Sequence, residues 1–443
     1  MSGTTFGSLK VRNFRLFTTG QLIKLLGTWM LFTAQDWLVL QLSDNSASAL
    51  GVVTALQFLP VLLLTLYGGQ LADRFDKRRL LLIANTGSAL VAGLLGALVV
   101  SGVVTLWWVF VTAALFGIIS AIETPVRQSF VSELVGKELL PNALSLSSAT
   151  FNTARVVGPA VAGLIIALLH DRTGPIFLLT GVLGPAPLVG LVRMRAGELF
   201  RAGLTTVTAG EARTIDGLRY VWRRPDLSLA IFLVMIIGLF GFNFQLTLAV
   251  LARVEFKVDA QYFGLLTTAI AVGALCGALA SSRRRSRPSV YAVLTAAVLF
   301  GGFETLVGFA PTFITAVILL IPTGFFMIYF AQAANQRVQL GTDALFRGRV
   351  MALYVLVFMG TTPIGALIIG WCAERYGPRS GIWVGGLVSV LATVVLALLQ
   401  LRKVGGRVSV HLRPRPHVHV FEPARPDTPA FELRVPRVRP AVR

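Results

Sequence analysis

The sequence predicts an all-α polytopic membrane protein whose twelve transmembrane helices form two six-helix pseudo-symmetric bundles. Three observations predict this class. Of the 443 residues, 55% are hydrophobic and 14% are charged, whereas a soluble globular chain carries about 25% charged residues. Apolar segments of about 20 residues, the length that crosses a bilayer as a helix, recur along the chain. Short Gly and Pro matches also repeat between the two halves at nearly one offset.

The charge-free runs give the individual spans. Residues 80–122 contain no Asp, Glu, Lys or Arg, which is enough for two crossings joined by a turn at Ser101 and Gly102. A membrane β-barrel would show shorter segments of alternating hydrophobicity, so the segments are expected to be helices. The predicted spans are 14–41, 46–72, 79–101, 103–127, 142–169, 174–194, 227–252, 260–282, 288–310, 312–337, 349–373 and 380–402.

The basic residues set the expected orientation. With the amino terminus in the cytoplasm, 33 of the 40 Lys and Arg residues fall in cytoplasmic segments and 5 in external loops. Cytoplasmic loops of membrane proteins are enriched in Lys and Arg, so both termini are expected in the cytoplasm. The net charge of +20 therefore needs no nucleic-acid partner. The other two basic residues, Lys24 and Arg155, lie within spans.

An internal repeat divides the chain into two bundles. Pro159 in the fifth span and Pro363 in the eleventh are 204 residues apart, and Gly69 and Gly277, near the ends of the second and eighth spans, are 208 apart. Six plus six related helices are typical of transporters in which one half rocks against the other. The predicted parts are a cytoplasmic N-terminus (1–13), two bundles (14–194 and 227–402), a cytoplasmic linker (195–226) and a basic, Pro-rich cytoplasmic tail (403–443) that is expected to be disordered or polyproline-like.

The loop between the second and third spans carries a motif. Residues 69–81 read Gly-Gln-Leu-Ala-Asp-Arg-Phe-Asp-Lys-Arg-Arg-Leu-Leu and resemble the loop 2–3 signature of the major facilitator superfamily. A carboxylate at Asp73 can dock on the amino end of a helix from the other half, where free N–H groups favour negative charge. The resemblance implies that the partner is the start of span 11, at 347–350, and that the latch comprises Gly69, Asp73, Arg74, Lys77 and Arg78.

Two alternatives stay open for this loop. The motif departs from the superfamily pattern at Asp76, where Gly is usual, so the turn is expected to have a different shape. The loop is also readable as an ordinary positively charged cytoplasmic loop with a capping Asp.

The fifth span carries a second motif, Gly158-Pro159-Ala-Val-Ala-Gly163, which resembles the signature of the superfamily's exporters. Gly and Pro allow close helix approach and bending, and the alternative is a generic small-residue packing face. Segments 33–42, 55–60 and 123–128 are similar to the bacterial branch that contains the enterobactin exporter and macrolide efflux proteins. The resemblance extends to about residue 402.

Ionisable residues inside spans are functional candidates because their insertion is costly. Arg155 lies near mid-membrane, where it needs a carboxylate, a cavity or an anionic substrate; the alternative is a structural ion pair. Lys24 shares a helix face with Gln21, Thr28 and Gln35, as expected for a water-lined cavity.

Acidic and amide side chains complete the candidate set. Asp36 is either a proton-coupling acid or a capping or gating contact at the external end of span 1. Glu123 and Arg127 form an i, i+4 pair at the cytoplasmic end of span 4, either a gate contact or a proton-handling pair. Asn243 and Gln245 in span 7 are candidate hydrogen-bonding groups of the cavity.

These features favour a proton-coupled exporter of a hydrophobic or amphipathic small molecule, such as a drug, antibiotic or siderophore, that works by alternating access in a bacterial plasma membrane. A proton-coupled uptake symporter of a small metabolite stays open, and a membrane-embedded enzyme or sensor is a remote alternative. No catalytic residue, metal or cofactor is expected. The expected partners are the substrate, protons and anionic lipid, and the chain is expected to be monomeric.

Overall fold

The architecture is that of a computed structural model, which describes residues 7–136, 138–200, 214–282, 284, 286–404, 407–411 and 417–421. A short 3-10 turn, Gly7–Lys10, precedes the first bundle. The helices of this N-terminal half are α1 (Arg12–Leu42), α2 (Ala47–Arg74), α3 (Lys77–Val100), α4 (Leu106–Leu134), α5 (Leu140–Leu168), α6 (Gly174–Leu183) and α7 (Ala186–Arg193).

The second bundle follows a linker that contains a 3-10 turn, Ala196–Glu198, and helix α8 (Thr214–Trp222). The helices of this C-terminal half are α9 (Pro225–Phe240), α10 (Phe244–Val250) with a π-helical turn (Leu251–Glu255), α11 (Ala260–Ser282), α12 (Val290–Gly308), α13 (Phe313–Gly341), α14 (Ala344–Tyr376) and α15 (Ser380–Val404).

The predicted all-α, multi-pass class is confirmed. Within the described residues, eleven helical segments are long and apolar enough to cross a membrane. Helix α1 is the twelfth predicted crossing and is not among these eleven, although its 31 residues, about 46 Å at 1.5 Å per residue, are long enough to cross a bilayer. Its polar residues lower its hydropathy, and several of them, including Gln21, Gln35 and Asp36, are buried inside the bundle.

Two crossings are interrupted, where the sequence predicted single helices at 174–194 and 227–252. The first breaks at Gly184 and Pro185, because proline lacks the N–H that would continue the helix. The second breaks between Phe240 and Phe244. There the side chain of Asn243 donates hydrogen bonds to the carbonyl oxygens of Leu239 (2.9 Å) and Phe240 (3.3 Å), which the break would leave unpaired.

Within the tail, which we expect to be disordered or polyproline-like, the structure describes two short strands. Strands β1 (Arg407–His411) and β2 (His417–Phe421) pair antiparallel, with Ser409 opposite His419. The reason lies in their composition: β-branched Val alternates with other residue types in both segments, and this pattern favours strands. Other tail residues, 405–406, 412–416 and 422–443, lie outside the described part.

The bundle has two ends, which we name for their chemistry. The basic face contains the start of α1, the α2–α3 turn, the linker and the α11–α12 and α13–α14 connections. The distal face, at the other end, contains the α1–α2, α5–α6, α10–α11 and α14–α15 connections. The two halves meet mainly along α2 with α14 and along α5 with α11.

Candidate substrate cavity and its two gates

The halves are closely packed toward the distal face along α2 and α14. A methyl group at Gly51 would lie 2.6 Å from the carbonyl oxygen of Ala366, so the two helices touch backbone to backbone there. At the end of this contact the carboxylate of Glu374 accepts hydrogen bonds from the backbone N–H of Ser48 and the hydroxyl of Ser46, both at 3.1 Å. A carboxylate from the C-terminal half thus binds the amino end of α2, where the helix dipole favours negative charge.

The Gly158, Pro159 and Gly163 motif supplies two of the close contacts. Gly158 packs on α1, because a methyl group there would lie 2.5 Å from the Cβ of Trp29. Gly163 packs on α11 of the other half, where its added methyl group would lie 2.7 Å from the carbonyl oxygen of Ala260. The motif therefore joins α5 to its own half on one side and to the opposite half on the other.

A third distal contact joins α1 to the C-terminal half. The Arg253 guanidinium donates a hydrogen bond of 2.6 Å to the Asn45 side chain and lies 4.7 Å from the centre of the Trp37 ring. Trp37 also stacks on Phe263 of α11, with 6.2 Å between ring centres. These contacts close the distal end of the interface with aromatic and polar groups.

The basic face is different, because the contacts described there for Lys77 and Arg78 stay within the N-terminal half. In the latch motif, Asp73 and Arg74 are exposed, Lys77 pairs with Glu133, and Arg78 donates to the Val192 carbonyl at 3.0 Å. All of these described partners belong to the N-terminal half. In this conformation, Asp73 does not contact the start of α14 through any described hydrogen bond.

The α2–α3 turn explains why Asp76 can replace glycine. The two turn residues, Phe75 and Asp76, have φ values of −118° and −61°, which any residue adopts. The Asp76 carboxylate also accepts a hydrogen bond of 3.0 Å from the backbone N–H of Arg79 and so caps α3. Asp76 therefore stabilises the start of α3 at a position whose backbone does not require glycine.

The start of α14, where the latch partner is expected, is bound by the linker. The Tyr220 hydroxyl of α8 donates a hydrogen bond of 2.8 Å to the Asp343 carboxylate at the α14 amino end, and its ring stacks on Phe346 at 4.5 Å. Arg224 donates to the Gly341 carbonyl at 3.2 Å. The linker helix is thus fastened to the C-terminal half.

Three charged candidates meet within the N-terminal half. The Glu123 carboxylate lies 2.9 Å from the Lys24 ammonium and 3.1 Å from Nε of Arg127. The Lys24 and Glu123 side chains are 12% and 8% exposed. The i, i+4 spacing predicted the pair of Glu123 and Arg127, but no partner was predicted for Lys24. In the structure the three side chains form one cluster, which carries one negative and two positive formal charges.

Arg155 lies apart from that cluster. Its guanidinium is 5.7 Å from the centre of the Trp29 ring, which itself packs edge-on against Phe151. Among the described residues it has no ion pair, so the carboxylate partner considered from the sequence is not found there. The aromatic face stabilises the cation but leaves its hydrogen-bond donors available.

Asp36 is a buried acid that follows Gln35 in α1 and precedes Trp37, one of the residues of the distal contacts. It is 1% exposed, and neither carboxylate oxygen has a hydrogen bond of standard geometry within the described part. The amide of Gln245, from the other half, approaches closely enough to interact with it. The neighbouring Gln35 accepts a hydrogen bond of 3.1 Å from Gln57 on α2. The structure thus brings Asp36 and Gln245 together across the interface.

A cavity of about 450 Å³ lies between α13 and α14, and it was not predicted from the sequence. Four side-chain amides line it, and no lining residue, all of which are described, carries a formal charge. The amides recur at i, i+3, i+4 and i+7, so a helical-face count of amides would have found them. We call this cavity the amide pocket; its amides are Gln332, Asn335, Gln336 and Gln339.

Another buried acid, Glu304 of α12, lies beside the interrupted crossing. It is 2% exposed, and one of its carboxylate oxygens has no hydrogen bond within the described part. Methyl groups built at Gly241 and Gly385 would lie 3.0 Å from its two oxygens, which places the carboxyl between the α9–α10 break and α15. It lies within the C-terminal half, behind the interface between the bundles.

Known proteins resemble this chain along most of its length. A Staphylococcus aureus protein named as a staphyloferrin A transporter is 26% identical, over 86% of this chain and 94% of that protein. A Mycolicibacterium fortuitum protein named multidrug efflux pump Tap is 28% identical, over 90% and 97%. The enterobactin exporter EntS of Shigella flexneri is 22% identical, over 76% and 80%.

Solved structures share the fold. A D-xylose–proton symporter matches with a TM-score of 0.66 and 15% identity, covering 87% of this chain and 96% of that one. The family described as transmembrane secretion effector matches residues 3–425. The resemblance predicted from the motifs is therefore confirmed: the chain belongs to the transmembrane secretion effector family of the major facilitator superfamily, and it is a multi-pass membrane transporter rather than an enzyme.

Proposed function

We propose that this transporter exports an amphipathic small molecule in exchange for protons, by alternating access. The observation that carries the proposal is the asymmetry of the interface. Hydrogen bonds join the halves at the distal face, whereas at the basic face Lys77 and Arg78 of the latch motif bind partners within their own half. The excess of Lys and Arg supports a cytoplasmic position for the basic face. The structure then corresponds to an inward-facing state, open for loading from the cytoplasm.

Asp36 is the proposed proton carrier. It is buried beside the contacts that join the halves at the distal face, which we call the distal gate, and the Gln245 amide of the other half lies close to it. A charged carboxylate is costly at such a site unless a cation pairs with it, and no ion pair forms at Asp36 among the described residues. Proton binding would therefore favour the closed distal gate, and opening of that gate would give Asp36 access to external water and protons.

Export is the direction that the relatives support. The multidrug efflux pump and the enterobactin exporter are named for outward transport, and the family is described as a secretion effector. Uptake coupled to proton entry is the alternative, because a D-xylose–proton symporter shares the fold. The two directions differ in what deletion of the gene does to a cell: loss of an exporter raises internal substrate, and loss of an importer lowers it.

The first experiment measures proton coupling in liposomes. Protein is reconstituted with a trapped pH-sensitive dye, a pH gradient is imposed, and a panel of anionic, neutral and cationic amphipathic compounds is added. We expect one class to accelerate proton flux, and Asp36→Asn to abolish that acceleration because the amide cannot carry a proton. The control is Asp259→Asn in the loop before α11. Wild-type proton flux in the Asp36→Asn protein would exclude Asp36 as the carrier.

The second experiment tests direction in the native host. Deletion of the gene should raise accumulation of the active compound and lower tolerance to it, and the wild-type gene should restore both. Reduced accumulation of the compound in the deletion strain would support uptake instead and would contradict the export proposal.

A further inference from the structure

The two walls of the interface differ in charge although their helices are related by the internal repeat. Helices α4 and α13 are both 29 residues long and begin 207 residues apart, at Leu106 and Phe313. The prolines of α5 and α14 are 204 residues apart. By these offsets Arg127 corresponds to Ala334, and Arg155 corresponds to Met359.

Met359 lines the amide pocket, so that pocket is the C-terminal counterpart of the wall that carries Arg155. On the N-terminal side, Glu123 is shared between Lys24 and Arg127, and Arg155 has only an aromatic neighbour. The formal charge around the basic-face half of that wall is therefore positive. On the C-terminal side, the lining of the amide pocket is neutral and rich in hydrogen-bonding groups.

The amides are positioned to bind a ligand rather than one another. The carbonyl oxygen of the Gln332 side chain accepts a hydrogen bond from Ser281 of α11, which fixes the amide and leaves its NH₂ group available. Tyr354 donates to the Ala331 carbonyl at 3.1 Å. Gln336 and Gln339 make no hydrogen bond within the part of the chain that the structure describes.

We propose that the substrate is an amphipathic organic anion with a neutral hydroxyl- or amide-bearing portion, that Arg155 binds its anionic group, and that the amide pocket binds its neutral portion. The inference rests on the proposed transport function. A guanidinium binds carboxylate-type groups through charge-assisted hydrogen bonds, and side-chain amides both donate to and accept from neutral groups. Trp29 beside Arg155 offers a surface for an aromatic or apolar part of the same molecule.

Three probes separate these contributions. 4-Nitrophenyl β-D-glucuronide has an aromatic ring, hydroxyls and a carboxylate; the corresponding glucoside lacks the carboxylate; 4-nitrobenzoate lacks the hydroxyls. Their affinities are measured by calorimetry on the full chain in lipid nanodiscs. We expect the glucuronide to bind at least about tenfold more tightly than the glucoside, as one charge-assisted contact allows.

Variants assign the two halves of the site. Arg155→Gln should reduce glucuronide affinity to about that of the glucoside and leave the glucoside unaffected. The double change Gln336→Ala and Gln339→Ala should lower the affinity for both sugars by about three- to tenfold. It should leave the affinity for 4-nitrobenzoate unchanged, and that unchanged affinity would also show that the variant is folded. Matched controls at exposed positions, Arg15→Gln and Gln70→Ala, should change none of the affinities.

Undetectable glucuronide binding, equal affinities for the glucuronide and the glucoside, or unchanged glucoside affinity in the double variant would overturn the assignment. These results are independent of proton flux. A chain that moves protons with other compounds but shows no such preference would retain the proposed function and lose this inference. A chain that shows the binding preference but no coupled proton flux would retain the assignment of the binding site and lose the proposed proton coupling.

Discussion

At the scale of single residues, the main finding is how the buried charges are distributed. Glu123 is bonded to both Lys24 and Arg127, whereas Arg155 and Asp36 have no ion-pair partner among the described residues. An ion pair inside a membrane lowers the cost of both charges, but an unpaired group is retained only where it has a function or a cavity. The paired cluster is therefore suited to structural support, and the unpaired groups to ligand and proton binding.

This assignment predicts unequal costs when the cluster is disrupted. Glu123→Gln leaves two buried cations without a counter-charge, whereas Lys24→Met leaves Glu123 paired with Arg127. We expect Glu123→Gln to be the more destabilising change by about 1–3 kcal/mol, because removing the shared partner strands both cations. The measurement is the midpoint of SDS-induced unfolding in mixed micelles, with Arg15→Gln as an exposed control. Equal midpoints for the two variants would show that Glu123 is not the shared partner in the membrane.

At the scale of helices, the distal gate depends on backbone contacts between α5 and α11. A methyl group at Gly163 would lie 2.7 Å from the Ala260 carbonyl oxygen, and one at Gly264 would lie 2.6 Å from that of Pro159. Neither contact can be relieved by turning a side chain, since each involves main-chain atoms. The two helices must separate to accommodate either methyl group, and in the proposed cycle such separation opens the distal gate.

We therefore expect Gly163→Ala and Gly264→Ala to shift the transporter toward the state open at the distal face. Overpacking of this kind costs about 1–3 kcal/mol, which changes the ratio of the two states by about fivefold or more. The measurement is the distance between spin labels at positions 171 and 259, in a background without Cys276 and Cys372. We expect this distance to lengthen in both variants. Gly302→Ala is the matched control, because nothing lies within 4 Å of its added methyl group. Unchanged distances in both variants would exclude this contact as part of the gate.

How much was predictable from the sequence differs between these elements. Helix positions were predictable because each span is an apolar run bounded by charges, and α11 (Ala260–Ser282) has the predicted bounds. The interruption of the crossing near Asn243 was not predictable. An asparagine whose side chain bonds the backbone carbonyl oxygens left free at a helix break has no distinctive local sequence pattern. The Lys24–Glu123 pair joins two residues that lie 99 positions apart on different helices, so helical spacing could not reveal it. The contact of Glu374 with the start of α2 joins residues 326 and 328 positions apart, so it too required the tertiary structure.

At the scale of the whole molecule, α2 and α14 are related in a way that suggests two reciprocal gates. They run in opposite directions between the two faces, and each has a carboxylate at or just before its carboxyl end. At the distal face, Glu374 of α14 binds the amino end of α2. At the basic face, Asp73 of α2 is exposed, and the motif resemblance implies that it binds the amino end of α14 when the halves meet there. In the proposed alternating-access cycle the halves rock about a site between them, so one contact should form as the other breaks.

Opposite responses to two neutral substitutions follow from this arrangement. Glu374→Gln should shift the population toward the state open at the distal face, and Asp73→Asn should shift it toward the state open at the basic face. Each shift should be about two- to fivefold, because exposed contacts with a helix amino end contribute about 0.5–1 kcal/mol. The double variant should lie near the wild type, because the two changes oppose each other. Label pairs at Asp171 with Asp259, and at Glu138 with Ser286, report the distal and basic faces respectively. If Glu374→Gln leaves both distance distributions unchanged while Asp73→Asn shifts them, the basic face alone holds a carboxylate latch, and closure of the distal face depends on the helix packing at Gly51 and Gly163.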